Sequence, residues 1–420
     1  MFVHIDCNNF FVSCELVSRP ELQGTPVVVA NENENHGGII LALNQEAKAV
    51  GLKRGNPLFQ VTKIIERNHV TVIDVHHNLY HEISGHIMDV VRQSEMVLDF
   101  VQYSVDEFFG VMPDDDPTRL RNYLQQLKEL IWQETSIPVS CGAGLTYTLA
   151  KTATYFAKHY KGYHGICVMP ADKRQQALLQ VPAKDIWGIG RRSIKVLQQR
   201  NVETAWAFTQ LSEQVVKSLF GIRGVRTWSE LKGIPALVLT GKSARQQSIM
   251  YSRTFAQMIS SKEALLTQLN NFTSAACRRL RAQKSLCTSV SLFVATNRHR
   301  EDLPQYHNDQ TIRLHTATDD TIEISSAVKV LLDRLFRSGY LYKQAGVILS
   351  GLQESDGIQL DMFADNYVEE SNRRKKLMQV FDRINAKHGS NKLHFSGQGE
   401  ASGEQMAGFM RPHKIEDDTD

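Results

Sequence analysis

The chain has 420 residues, 42% of them hydrophobic, and a formal net charge of +3. That length suggests about three domains of ~150 residues. The small charge excludes a uniformly basic nucleic-acid coat, so any such contact must sit in local patches. The lack of any apolar run near the ~18 residues of a membrane span, the lack of a basic-then-apolar leader and six cysteines without C-x-x-C spacing read as a cytoplasmic protein with reduced cysteines.

Phe2-Val3-His4-Ile5 is an apolar strand that ends at Asp6. Cys7 to Glu15 follows at once as a helix start, with Asn8 or Asn9 as cap. Val27–Ala30 and Ile39–Ala42 are short strands joined by the polar loop Asn31–Gly38. Asn44–Val50 reads as a short helix closed by Gly51. Val70–Val75 returns as a strand, and Leu79, Ile83, Ile87 and Val90 mark one helical face.

Val101–Val111 reads V-Q-Y-S-V-D-E-F-F-G-V, two apolar runs flanking Asp106 and Glu107. Val101, Tyr103 and Val105 alternate with polar residues, so two strands meet at a turn with the carboxylates at a sheet rim. Such a turn is either a polar hairpin tip or a cation site, because carboxylates beside apolar side chains are costly unless compensated. If the first strand is its neighbour, Asp6, Asp106 and Glu107 converge. Three hard oxygen ligands suit magnesium. Two such ions ~3.5–4 Å apart form the clamp used for in-line displacement at phosphorus.

Asp116-Pro117 caps the next helix, whose buried stripe is Leu120, Leu124, Leu127 and Ile131. Val139, Cys141 and Ala143 alternate as a strand, and a helix runs from about Tyr147 to Tyr160. Val181–Arg192 carries Gly188-Ile189-Gly190 between two helical patterns. This is either an ordinary turn or a helix-hairpin-helix, whose backbone N–H groups approach a DNA phosphate. Gly221-Ile222-Arg223-Gly224 is a second glycine-rich turn. Thr240–Gln247 reads as a linker. Beyond it come strand 248–255, helix 262–284, strands 287–296 and 311–317, helix 322–338 and strand 344–351. Arg278, Arg279, Arg281 and Lys284 crowd one helix, and Arg298, His299 and Arg300 follow a strand. From Asp356 the chain is polar, with one helical pattern over 372–385 and an acidic end. Leu360, Met362 and Phe363 at the start of this tail either pack back on the preceding domain or meet a partner.

The N-terminal D-x-N-x-F-F, the S-x-D-E hairpin and the later G-x-G turn resemble the Y-family DNA polymerases. Asn44-Gln45-Glu46-Ala47-Lys48 and S-V-D-E-F-F bring the chain nearest to the UmuC branch. The resemblance implies an α+β multidomain protein with right-hand polymerase architecture. Its parts would be a ferredoxin-like palm (1–10 and 73–170), small fingers (11–72), a helical thumb with a helix-hairpin-helix (171–239), a linker (240–247), an α/β little finger (248–352) and a tail (353–420). It implies error-prone, template-directed translesion synthesis within DNA repair and the SOS response. Two Mg2+ ions would be held by Asp6, Asp106 and Glu107 and by the Cys7 carbonyl. Phe10, Phe11, Gln45, Lys48 and Lys158 would bind the nucleotide, with Phe11 as the ring that rejects ribose. Lys48 stands where many members carry arginine, and lysine is a point charge, not a fork. Lys151 reads as structural or DNA-facing, and His76, His77 and His81 as a polar surface. DNA contacts would fall to Gly188, Gly190, Arg191, Arg192, Lys242, Arg245, Arg278 and Arg279. Gln359, Leu360, Asp361, Met362 and Phe363 look like the peptide that holds the sliding clamp. A UmuD-like partner and RecA recombinase are implied as well. The rivals are a palm-type nucleotidyl cyclase, which needs no duplex-binding domains, and a catalytically decayed DNA-binding scaffold, which needs no intact carboxylate set.

Overall fold

The computed structural model describes residues 1–31, 38–239, 245–355, 367–389, 392–395 and 398. The chain divides into two compact units, Met1–Ser243 and Ala244–Asp420.

The first unit opens with β1 (Phe2–Cys7) and α1 (Phe10–Ser18). Asn9 caps α1 in the left-handed conformation, φ 47°, a region that asparagine tolerates better than most residues. Then come β2 (Val27–Ala30), β3 (Ile40–Leu43), α2 (Gln45–Ala49), α3 (Leu58–Arg67) and β4 (Thr71–Asp74). These strands make a small sheet ordered β3-β2-β4, so the strand expected over Val70–Val75 joins the insert by pairing parallel to β2. Asn44 ties this insert together. Its Oδ1 accepts from the N–H groups of Ala47 and Val27, both at 3.0 Å, and its Nδ2 donates to the Thr25 carbonyl at 2.7 Å.

The chain continues through α4 (His77–Gln93), β5 (Leu98–Gln102), β6 (Glu107–Val111), α5 (Pro117–Thr135), β7 (Val139–Gly144), α6 (Tyr147–His159) and β8 (Ile166–Val168). The sheet order is β5-β6-β1-β7-β8. Apart from the edge strand β8, this is a ferredoxin-like sheet built from β-α-β-β-α-β. Val3, Ile5 and Cys7 face the main core with the fully buried Leu120, Leu124, Leu127 and Ile131 of α5. The other side of β1 is covered by α6. Gly142 and Gly144 permit that approach, since a Cβ on Gly142 would lie 2.3 Å from the Ala150 carbonyl oxygen.

Four helices complete the unit: α7 (Arg174–Gln180), α8 (Arg191–Gln198), α9 (Ala205–Thr209) and α10 (Glu213–Leu231). Their core of Leu178, Leu197, Phe208 and Val216 is shared with Leu149, Ala153 and Phe156 of α6. Glu230, fully buried, locks α10 to the start of α6. Its carboxylate accepts from the Thr148, Ala236 and Leu237 N–H groups at 2.8–3.0 Å. Inside α10, Gly221 adopts φ 63°, ψ −162° and splits the helix at the second glycine-rich turn.

The second unit contains β9 (Ser248–Ile259), α11 (Lys262–Ala282), β10 (Ser285–Thr296), β11 (His307–Thr318), α12 (Thr321–Leu335), β12 (Tyr342–Ser350), β13 (Gln353–Glu354) and α13 (Tyr367–His388). Its sheet is ordered β11-β10-β12-β9, with α11 and α12 burying Leu269, Phe272, Val328 and Leu331 against it. The element order repeats that of the ferredoxin-like sheet, but the strand order does not. The tail is more structured than its polarity suggests. Asp382 of α13 takes the Arg281 guanidinium at 2.6 and 2.9 Å, Met378 is buried, and Phe381 stacks on Phe395. Arg281 is therefore turned inward, apart from the surface cations of its helix.

Candidate active site

Antiparallel register sets Asp6 opposite Glu107 on β6 and opposite Ser140 on β7. Both carboxylates stand at strand ends on one face of the sheet, as period-2 geometry requires. The Cys7 N–H donates to the Asp106 carbonyl at 2.9 Å, extending the pairing into the turn. Within the turn, the Ser104 hydroxyl donates to Asp106 Oδ1 at 2.5 Å, and the Tyr103 and Ser104 N–H groups donate to the Glu107 carbonyl at 2.9 and 3.1 Å. The serine of S-x-D-E thus shapes the hairpin tip and orients its aspartate.

The stripe Tyr147, Lys151, Thr154 and Lys158 of α6 lies over Phe2, His4 and Asp6 of β1. Tyr147 packs on Phe2, Thr154 Oγ1 is 2.9 Å from His4 Nδ1, and Lys158 pairs with Asp6. Lys151, which the sequence leaves as structural or DNA-facing, pairs with Glu107 at 2.6 Å. Among the described residues, His4, Asp6 and Glu107 bring donor atoms within 4.8 Å of one another. The Asp106 carboxylate is tied back to Ser104 and stands outside that group. His4 Nε2 is buried without a hydrogen-bond partner, 4.0 Å from Glu107 Oε1. Burial, then Lys151 and Lys158, holds the His4 imidazole well below its usual pKa. Burial pushes the Asp6 carboxyl up to about 6; Lys158 pulls it down, and Glu107 and Asp106 push it up. Asp6 and Glu107 are hard oxygen donors already neutralised by two ammoniums, a set that fits a hard divalent cation.

Beside this group, Phe10 is buried and Phe11 is half-buried. The Phe11 ring stacks on Tyr80, centroids 4.3 Å apart, and meets His77 edge-on. Tyr80 is fixed from behind. Its hydroxyl donates to Glu15 Oε1 at 2.7 Å and accepts from the His76 N–H at 3.1 Å. The buried Glu15 also takes His76 Nδ1 at 2.8 Å and Arg19. Sequence reasoning missed this network, though the α4 face it named packs on the core, with Ile87 and Val90 buried and Leu79 and Ile83 against them. The fully buried line is Tyr80, Ser84, Ile87 and Val91, while Leu79 and Ile83 are half-buried. A carboxylate at Glu15, inside an otherwise apolar helix face, was the available signal. Lys48 Nζ donates to Asn9 Oδ1 at 3.1 Å, and burial, then Lys158, holds its pKa below the usual lysine value. Gln45 is exposed on the first turn of α2.

In the G-I-G hairpin, Gly188 has φ 89°, Gly190 caps α8, and Arg191 and Arg192 are exposed in its first turn. Trp187 seats this hairpin on the ferredoxin-like sheet, stacked on Phe109 at 5.4 Å and edge-on to Tyr103 at 5.4 Å. In the second unit Arg279 is exposed and Arg278 half-buried. Arg245 pairs with Glu354 and donates to the Gln283 and Lys284 carbonyls, so it belongs to the second unit and not to a linker. Lys242 and Gln359–Phe363 lie outside the described residues.

Residues 5–155 match the impB/mucB/samB family, residues 246–362 match that family's C-terminal domain, and residues 375–408 match DUF4113, a domain of unknown function. Protein UmuC of Salmonella typhimurium is 33% identical over 95% of this chain and 94% of its own length. DNA polymerase IV 2 of Halalkalibacterium halodurans is 26% identical, covering 92% of this chain and 91% of its own. Among solved structures, a Y-family DNA polymerase chimera of Dbh and Dpo4 has the same fold at a TM-score of 0.66 and 17% identity, covering 84% of this chain and 99% of the chimera.

Proposed function

The chain belongs to the impB/mucB/samB family, the UmuC-like Y-family polymerases, and from that premise we propose how its residues divide the reaction. It is a DNA-directed DNA polymerase of the translesion kind, acting on primer-template DNA and deoxynucleoside triphosphates with divalent metal. The finer assignments are ours. Asp6, Asp106, Glu107 and the Cys7 carbonyl would hold two Mg2+ ions, which would supply the positive charge that acidifies a primer 3′-hydroxyl and stabilises a pyrophosphate leaving group. Lys158 leaves Asp6 for the triphosphate, where it is joined by Lys48, Gln45 and the Phe10 N–H. Phe11 walls the sugar site.

Residues 1–10 and 73–170 serve as palm, 11–72 as fingers, 171–239 as thumb and 248–352 as little finger. Gly188 and Gly190 offer backbone N–H groups to a phosphate. Arg191, Arg192, Lys242, Arg245, Arg278 and Arg279 add charge along the duplex. Gln359–Phe363 binds the sliding clamp, and a UmuD-like subunit and RecA assist in the cytoplasm during the SOS response. Among the described residues no helix is long and apolar enough to cross a membrane.

The observation that carries the reading is the register that pairs Asp6 with Glu107 beside Asp106. Primer extension by the purified chain with Mg2+ and four dNTPs tests it, with and without the accessory proteins. Asp106→Asn keeps the side chain's shape and removes its charge, so incorporation should vanish while DNA binding stays. Near-normal incorporation by that variant refutes the assignment.

A further inference from the structure

Lys151 is placed unlike an ordinary surface lysine. Its ammonium lies 2.6 Å from Glu107 Oε1, and both side chains are largely shielded, 23% and 20% exposed. The same ammonium stands over two aromatic faces, 5.4 Å from the Tyr103 centroid and 5.5 Å from that of Trp187. Those rings are fixed in turn. Trp187 stacks on the fully buried Phe109, and Tyr103 meets both rings edge-on. A cation over aromatic faces stays favourably solvated without its carboxylate. A lysine held only by Glu107 would lose its sole partner once the carboxylate turned elsewhere.

We propose that Lys151 is the resident counter-ion of Glu107, seated on Tyr103 and Trp187 so that it can yield the carboxylate to a divalent cation without leaving the site. It is a positioning residue, acting on the cation through Glu107. Its charge keeps Glu107 compensated between cycles and lowers the affinity of the site for the cation. This inference rests on the assignment of Glu107 as a metal ligand.

The test is a Mn2+ titration of the full chain without DNA or nucleotide, followed by electron paramagnetic resonance. The Mn2+ population lost in Glu107→Gln defines the site. Lys151→Gln removes the charge and keeps a polar end, and Lys151→Met removes the charge and keeps an unbranched apolar side chain of similar length. Both should bind Mn2+ at that site about tenfold more tightly, because a like charge a few ångströms away is gone. Lys151→Arg keeps the charge and should track the wild type. Unchanged or weaker binding in the Gln and Met variants overturns the proposal. Equal tightening in the Arg variant does so too, since shape and not charge would then be at work. If Glu107→Gln removes no Mn2+ population, the ligand assignment itself falls and takes the proposal with it.

Discussion

Phe11 shows how one side chain is given a fixed position. A ring on a bare helix turn would swing, but Tyr80 stacks against it at 4.3 Å and is itself bonded to the buried Glu15. A rigid wall rejects a hydroxyl through a clash; a loose one yields. Phe11→Ala should therefore lower the ratio of dNTP to rNTP incorporation by ~10–200-fold, the range for one apolar contact in a pocket. Single-nucleotide primer extension with each sugar measures it, and an unchanged ratio moves the sugar wall elsewhere. Asp6 and Glu107 were legible in the sequence because strand alternation fixes the face on which each side chain stands. Lys151 was not, because its partner lies 44 positions away and nothing local distinguishes it from a surface lysine. Glu15 escaped for a similar reason. Its partners Tyr80 and His76 come from α4, and only packing of α1 against α4 makes a buried carboxylate tolerable.

At the scale of elements, most strands and helices were readable from periodicity and caps, while β8, β13 and α3 were not. The α5 stripe Leu120, Leu124, Leu127 and Ile131 is fully buried as expected, and Asp116 caps the helix by accepting from the Arg119 N–H. What periodicity could not give was partner choice, such as β4 joining β2. The α10 break is a local feature with a local cause. Gly221 holds φ 63°, ψ −162°, a region essentially closed to other residues, and a Cβ there would meet nothing within 4 Å. Gly221→Ala should thus be penalised by backbone strain alone, ~1–3 kcal/mol. Chemical denaturation reads this directly, and a loss below about 0.5 kcal/mol would show that the chain can re-form a continuous helix at no cost.

For the whole molecule, two units carry the same β-α-β-β-α-β element order on different sheet topologies, a distinction invisible in any list of elements. The tail was the least legible part. Its one helical pattern, over 372–385, falls within α13, but its docking could not be read locally: Arg281 and Asp382 meet across 101 positions, and Asn385 exchanges two hydrogen bonds with the Leu393 backbone. Replacing Leu360 and Phe363 together by Ala should abolish clamp capture in a pull-down and leave thermal stability and clamp-free extension unchanged. A stability loss of several kcal/mol, as for buried Leu and Phe truncations, would mean that these side chains are core.

The ion pairs of α13 also decide what moves with what. Ahead of the helix, Ser355 is held by its N–H bond to the Lys284 carbonyl. Within it, Arg374 pairs with Asp320 at 3.3 Å and Asp382 with Arg281. These bonds make α13 part of the second unit, so a protein that took hold of its exposed face would have to travel with that unit or break both ion pairs first.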